Sequence, residues 1–105
     1  MELQLNTWQR VQLELLVGGV KGDASTVRKA VKLLDVLEMT DSEREQVGLR
    51  FVEGGMVWDK PNHLFTVEIK DGNLEAFLRQ LVKQKEDWPA NRHAIDLFDQ
   101  LKIDD

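Results

Sequence analysis

The chain has 105 residues, of which 42% are hydrophobic and 31% are charged, and it contains no cysteine. This length suits one domain over residues 1–105, and the composition is typical of a folded protein rather than a disordered one. The absence of cysteine excludes disulfide bonds and cysteine-ligated zinc, so stability must come from core packing. The formal net charge of −5 disfavours nucleic acids and anionic membranes as partners, because both attract basic surfaces.

The start of the chain carries no targeting pattern. Residues Met1 to Leu5 lack the basic start and the long apolar run of a signal peptide. No apolar run approaches the roughly 20 residues that a helix needs to cross a bilayer. We therefore expect a cytoplasmic protein that does not bind membranes.

Alternating apolar and polar side chains predict β-strands. Leu3 and Leu5 alternate with polar neighbours, and so do the apolar residues between 65 and 69. A run of β-favourable residues ends at Trp58, and the turn-forming residues 59–63 would join it to the next strand as a hairpin loop. We expect a three-stranded antiparallel sheet with strands near residues 2–6, 55–59 and 64–69.

Apolar residues at three- and four-residue spacing predict helices. The first spans about residues 7–17 and ends at a glycine-rich turn, and the second spans about 24–38. A capping box formed by Thr40 and Glu43 begins a short third helix that runs to about Arg50. On these segments we expect the following apolar side chains to face the core: Trp8, Val11, Leu15, the widening positions Leu13, Leu16 and Val17, and then Val27, Ala30, Val31, Leu34, Leu37, Val47 and Phe51.

The C-terminal third of the chain predicts two more helices. A break around Gly72 precedes an apolar stripe from Leu74 to Val82, and Trp88–Pro89 would begin the last helix because proline suits a first helical turn. The predicted fold class is therefore α+β, with about five helices packed on one face of a small three-stranded antiparallel sheet. On the last helix the apolar residues expected to pack are Ala94, Ile95, Leu97, Phe98 and Leu101.

Residues with catalytic or ligand-binding side chains form no pattern that indicates an enzyme. The two histidines, His63 and His93, lack the spacing of a zinc-binding pair. The glycine-rich turn after the first helix lacks the spacing of a phosphate-binding loop. His93 and Asp96 have the one-turn spacing that could orient an imidazole for hydrolysis, but a pair on a helix surface is the simpler interpretation. We predict no catalytic residue, no metal and no cofactor.

Tryptophans at the ends of predicted elements are the strongest candidates for a partner surface. Trp58 ends a predicted strand beside Asp59 and the His63 loop, and Trp88 precedes the last helix. Interfaces favour tryptophan, although burial in the core is the simpler interpretation of both side chains. The leading hypothesis is a non-enzymatic protein–protein interaction or regulatory module, which binds a protein partner or itself through Trp58, Asp59, His63 and Trp88.

A nucleic-acid-associated regulator is the alternative hypothesis. Arg28, Lys29 and Lys32 form a short basic face on the second helix, which solvation alone would also explain. A helix-turn-helix across helices two and three is disfavoured, because the would-be recognition helix begins with acidic residues such as Asp41 and Glu43.

Short patterns of core and cap residues follow one another along most of the chain. They are Leu3-x-Leu5, Trp8-x-Arg10-x2-Leu13, Gly22-Asp23, Thr26-x-Arg28, Thr40-x2-Glu43, Val57-Trp58, Val67-Glu68-Ile69 and a last helix from His93 to Phe98. In this order they resemble a family of small phage- and prophage-encoded proteins without an established activity. The resemblance implies a phage or prophage origin and the fold, and it assigns no functional residue. The chain departs from the pattern at Trp88–Pro89, where a Leu-Thr cap would be expected.

Overall fold

Five helices and two small antiparallel sheets form the fold in the computed structural model, which describes residues 1–103, and the predicted α+β class is confirmed. The elements in chain order are β1 (Glu2–Asn6), α1 (Thr7–Gly18), α2 (Ala24–Leu37), α3 (Asp41–Val47), β2 (Arg50–Val52), β3 (Gly55–Val57), β4 (Leu64–Glu68), α4 (Gly72–Gln84) and α5 (Arg92–Leu101). No helix within residues 1–103 has the length and apolar character needed to cross a membrane.

The prediction of one three-stranded sheet is wrong, because the strand predicted near residues 55–59 does not pair with the strand predicted near residues 64–69. β1 pairs only with β4, and β3 pairs with β2. In the second pair Val52 lies opposite Gly55, so that Glu53 and Gly54 alone form the turn. Gly54 has a φ of 91°, a conformation that glycine adopts at little cost. This two-residue turn closes β2 onto β3. The free edge of β3 does not meet β4, which pairs with β1 instead.

The segment 59–63, predicted as a hairpin loop, instead connects the two sheets. The backbone N–H groups of Asp59 and Lys60 donate to the Val47 carbonyl at 2.9 and 3.3 Å. Thr7 at the start of α1 is fully buried, and its hydroxyl donates to the Lys60 carbonyl at 2.8 Å. These bonds tie the base of the β2–β3 hairpin to α1 and α3.

One face of the β1–β4 sheet is apolar and faces the core. Leu3 lies opposite Val67, and Leu5 lies opposite Phe65. The buried side chains form two groups. The larger core group is Leu3, Leu5, Leu13, Val17, Ala30, Leu33, Leu37, Val67, Ile69, Leu74, Leu78, Val82, Leu97 and Leu101. The smaller core group is Val11, Met39, Val47 and Phe65.

Glutamine side chains occupy the outer edge of β1. The Gln4 N–H donates to the side-chain oxygen of Gln100 at 2.7 Å, and the Gln100 amide donates to the Gln4 carbonyl at 2.8 Å. The Asn6 N–H donates to the side-chain oxygen of Gln9 at 2.8 Å. These side chains satisfy backbone groups that point away from β4, as a neighbouring strand would.

The inner stripe of α2 differs from the prediction. Ala30 and Leu37 are buried as expected, and Leu33 is fully buried between them. Val27 and Val31 are 41% and 51% exposed, so the prediction that they face the core is wrong. Positions 30, 33 and 37 form a stripe at helical spacing, and positions 27 and 31 lie on the flank of that stripe.

The first helix buries Val11, Leu13 and Val17 as predicted but differs from the prediction at two other apolar positions. Leu15, predicted to face the core, is 55% exposed, and Trp8 is only half-buried. Leu13 is fully buried, and the polar side chains of Gln9 and Arg10 are buried too. The buried arc of α1 is wide enough to include polar residues, which apolar spacing alone does not predict.

The third helix is shorter than predicted, and its end redirects the chain. The capping box of Thr40 and Glu43 is confirmed, with both reciprocal hydrogen bonds present. The helix ends at Val47 because Gly48, at a φ of 69°, adopts the left-handed conformation that closes it. Phe51, predicted to face the core, instead lies on β2 and is 75% exposed.

The last helix begins later than predicted. Asn91 is its N-cap, and its side-chain oxygen accepts from the Ala94 N–H at 2.8 Å. A helix start at Trp88–Pro89 is therefore wrong, since the asparagine cap, three residues before Ala94, fixes the first turn. Ile95, predicted to pack, is 56% exposed, whereas Leu97 is fully buried.

Candidate functional site

The β2–β3 hairpin carries a cluster of exposed apolar side chains. Phe51 is 75% exposed, Val52 48% and Val57 38%, and together they are called the hairpin patch below. Phe51 lies opposite Met56, which is half-buried against the smaller core group. Val52 and Val57 lie on the other face of the ribbon, because side chains alternate along a strand. Each face thus carries exposed apolar side chains, and Met56 packs against the rest of the protein.

An exposed ion pair crosses the base of the hairpin. The Arg50 guanidinium donates to both carboxylate oxygens of Asp59 at 2.9 and 3.0 Å and to the Gly48 carbonyl at 3.1 Å. The two side chains are 53% and 61% exposed, so the pair contributes little to stability. Its effect is to hold the start of β2 against the end of β3.

Two of the predicted interface residues lie beside the smaller core group. Trp58 is half-buried and packs against that group. His63 is half-buried, and its ring meets Phe65 edge-on with centroids 4.7 Å apart. Because Asp59 follows Trp58 directly, the structure brings three of the four predicted residues to the base of the hairpin.

Trp88, the fourth predicted residue, is half-buried and packs against the larger core group. Its indole N–H donates to the Val82 carbonyl at 3.0 Å. Its ring meets Phe98 edge-on at 5.4 Å, and the Lys85 ammonium lies 5.2 Å from the ring centroid. The indole N–H and the ring of Trp88 thus already contact other residues of this chain, which disfavours Trp88 as a contact for a partner protein.

The basic residues predicted for nucleic-acid contact are all on the surface. Arg28, Lys29 and Lys32 are exposed on α2. No ion pair or hydrogen bond within residues 1–103 involves their side chains. The exposed Val27 and Val31 lie on the same helix, so this surface mixes apolar and basic groups.

Arg10 is a buried cation whose burial the apolar spacing of α1 does not predict. It is 4% exposed, and its guanidinium donates to both Glu43 carboxylate oxygens at 2.6 and 3.1 Å. It also donates to the carbonyls of Leu37 and Glu38, and its carbon Cζ lies 4.8 Å from the centroid of the Phe65 ring. Four of its five N–H groups are thereby used, so Arg10 joins α1 to the α2–α3 connection rather than offering a ligand site.

The fold shifts the pKa values of two carboxyl groups near the α2–α3 connection, Glu43 and Glu14, in opposite directions. Burial acts to raise the pKa of Glu43, but the hydrogen bonds from Arg10 and from the Thr40 N–H outweigh it and hold that pKa below its usual range. Burial raises the pKa of Glu14, against the hydrogen bond that the Met39 N–H donates to it. Relative to an ordinary carboxyl group, the fold thus favours the charged form of Glu43 and disfavours the charged form of Glu14.

His93 and Asp96 bond to other residues rather than to each other. The Nδ1 atom of His93 lies 3.0 Å from the side-chain nitrogen of Asn6. The Oδ2 atom of Asp96 accepts from the amides of Gln9 at 2.9 Å and Gln100 at 2.8 Å. In the described part of the chain, no group of three or more His, Cys, Asp or Glu side chains is placed to hold a metal ion.

A shallow groove crosses the surface between α1 and α4. Its two adjoining parts have volumes of about 540 and 360 Å³ and share Val20, Leu81 and Gln84. Leu15 and Leu16 of α1 line the larger part. This α1–α4 groove, including the glycine-rich turn that follows α1, was not predicted, because it depends on how two distant helices meet.

The hairpin patch does have a signal in the sequence. Phe51 and Val52 are β-favourable, and Gly54 and Gly55 follow within three residues. β-favourable residues on both sides of a glycine-containing two-residue loop are typical of a tight hairpin.

A comparison of the chain with protein-family models, with curated proteins and with solved structures found no match.

Proposed function

We propose that this protein is a non-enzymatic interaction module, which binds a protein partner or a second copy of itself through the hairpin patch. The observation that carries this proposal is the 75% exposure of Phe51 on a hairpin whose other face carries two exposed valines. Burying a phenylalanine side chain stabilises a complex by about 1.5–3 kcal/mol, and aromatic side chains are enriched among the residues that dominate binding energy.

The way the hairpin is attached supports this role. Asp59 and Lys60 donate to the Val47 carbonyl, and Arg50 holds Asp59 from the other strand. A surface that is already ordered loses less conformational entropy on binding. Trp58 and His63 stay in the proposal as residues at the base of the patch, whereas the proposal does not require Trp88.

Two matched variants test the proposal. Immobilised wild-type protein and Phe51→Ser are compared for the proteins that they retain from a cell extract, and sedimentation measures self-association. Ile95→Ser on α5 is the control, because Ile95 is 56% exposed and lies outside the hairpin. We expect wild type and the Ile95 variant to bind the same partner or to self-associate, and Phe51→Ser to lose at least tenfold in affinity.

Equal retention by Phe51→Ser would place the binding surface elsewhere. A wild-type protein that is strictly monomeric and retains nothing would remove the interaction function altogether. A phage or prophage origin and a cytoplasmic location belong to the same proposal, and gene neighbourhood tests the origin directly.

A nucleic-acid-associated regulator is the second candidate function. The exposed cations Arg28, Lys29 and Lys32 favour it, since their side chains pair with no group within residues 1–103. A gel-shift assay at low salt decides it. Micromolar protein that shifts neither duplex nor single-stranded DNA removes this candidate, and a shift that Lys32→Glu abolishes would support it.

A further inference from the structure

We propose that the α1–α4 groove docks an acidic amphipathic helix of a partner protein. The groove shares no residue with the hairpin patch, so either proposal can fail without the other. The groove has an apolar floor, a basic rim and walls of polar side chains that form no hydrogen bond within the described residues.

The floor of the groove is apolar and open to solvent. Leu16, Val20, Phe77 and Leu81 are half-buried, and Leu15 is 55% exposed at one end. A small ligand binds best in a pocket that encloses most of its surface. A groove whose floor is partly exposed along its length instead suits the apolar stripe of a helix laid across it.

The charge of the rim selects an acidic partner. The groove is lined by Lys21, Lys29 and Lys85 and by no carboxylate. The chain as a whole has 19 acidic and 14 basic residues, so a lining with cations alone departs from the rest of the protein. Complementary charge raises the association rate and disfavours partners of the wrong sign.

Two of these three lysines form no ion pair with a nearby carboxylate of the described residues. Asp23 accepts from the Thr26 N–H as the N-cap of α2, and Asp87 pairs with Lys85. Within residues 1–103 no ion pair involves Lys21 or Lys29. Acidic side chains of a docked helix would therefore meet Lys21 and Lys29 without displacing an existing pair.

Glutamines complete the walls of the groove. Gln12, Gln80 and Gln84 line it, and their side chains make no hydrogen bond to the described residues. Each amide can both donate and accept, so the walls can bond to polar side chains that flank an apolar stripe.

The probe for this site is a stapled amphipathic peptide with leucines at i, i+3, i+4 and i+7 and glutamates on both flanks. The same peptide with lysines in place of the glutamates is the ligand control. Titration into the isotope-labelled full chain, followed by amide chemical shifts, should perturb the signals of Leu16, Val20 and Leu81. We expect the lysine peptide to bind at least tenfold more weakly.

Charge-reversal variants assign the binding to the rim. Lys21→Glu combined with Lys29→Glu should weaken binding of the acidic peptide roughly tenfold, because each exposed pair contributes modestly and reversal adds repulsion. Lys32→Glu is the matched control, because Lys32 is also an exposed lysine on α2 but lies outside the lining. Leu15→Gln should also weaken binding, and because Leu15 is 55% exposed the variant should remain folded.

Three results would overturn the proposal. They are shifts that appear away from the groove, equal affinity for the acidic and basic peptides, and the absence of saturable shifts with either peptide. Saturable shifts with laurate in that last case would make the groove a site for an amphipathic anion of low molecular mass.

Discussion

Arg10→Met should lower the free energy of unfolding by about 3 kcal/mol. Methionine keeps the length and apolar stem of the side chain beside Phe65 but removes the guanidinium. The Arg10 side chain is 5% exposed, and breaking a buried ion pair from one side typically costs about 3–5 kcal/mol. We place the loss at the lower end because Glu43 is 28% exposed and can be partly hydrated. The Leu37 and Glu38 carbonyls also lose donors, which adds to the loss.

Urea unfolding followed by circular dichroism measures this loss. The midpoint should fall while the dependence on urea stays unchanged, since the variant removes contacts without altering the surface exposed on unfolding. A double-mutant cycle with Glu43→Gln isolates the pair. We expect a coupling free energy of about 1.5 kcal/mol or more between the two positions.

The pH dependence gives an independent check. Because the folded-state pKa of Glu43 is lowered, its stabilising contribution is present above the ordinary carboxyl range and is lost as pH falls through the folded-state pKa. The difference between wild type and Glu43→Gln should therefore shrink in acid. A loss below about 1 kcal/mol for Arg10→Met, or additive effects of the two substitutions, would refute the role assigned to this pair.

Two further substitutions test the turn and the buried carboxylate. Gly48→Ala should cost about 1–2 kcal/mol, because the φ of 69° is unfavourable for alanine and the new Cβ would lie 2.4 Å from Asp59 Oδ2. Gly72→Ala, where a Cβ meets nothing within 4 Å, is the control and should be neutral in the same thermal melt, so equal losses would contradict this account. Glu14→Gln should stabilise the protein at neutral pH, because a raised folded-state pKa means that stability falls as pH rises through it, while the amide can still accept from Met39. That gain should disappear below the ordinary carboxyl range, and a gain independent of pH would rule out the titration of Glu14 as its cause.

Local patterns in the sequence predict the helices and strands better than they predict which strands pair with one another. Leu3 and Leu5 alternate with polar residues, so β1 could be placed from its own side chains. The capping box of Thr40 and Glu43 could also be predicted, because its two residues are only three positions apart in the sequence. The pairing of β3 could not be placed this way. Residues 59–63 fit a hairpin loop by composition, and the contacts that direct them elsewhere, to Val47 and Thr7, come from distant parts of the chain.

Burial around a helix depends on what packs against it. Val27 and Val31 have the same spacing as a buried stripe, but the neighbours of α2 select the adjacent stripe through Leu33. Phe51 illustrates the same limit for the candidate site. Its side chain fits a core position equally well, and only the early end of α3 at Gly48 carries it onto the exposed ribbon.

The glutamine amides on β1 also bear on aggregation. An unpaired strand edge is a template for the addition of strands from other molecules. Gln100 of α5 occupies both outward backbone groups of Gln4, and Gln9 of α1 occupies the outward N–H of Asn6, so a foreign strand can add there only after both side chains have been displaced. Unfolding of α5 alone would free the backbone of Gln4 but leave the Asn6 N–H bonded to α1, so fibril growth along this edge requires the loss of contacts from both helices.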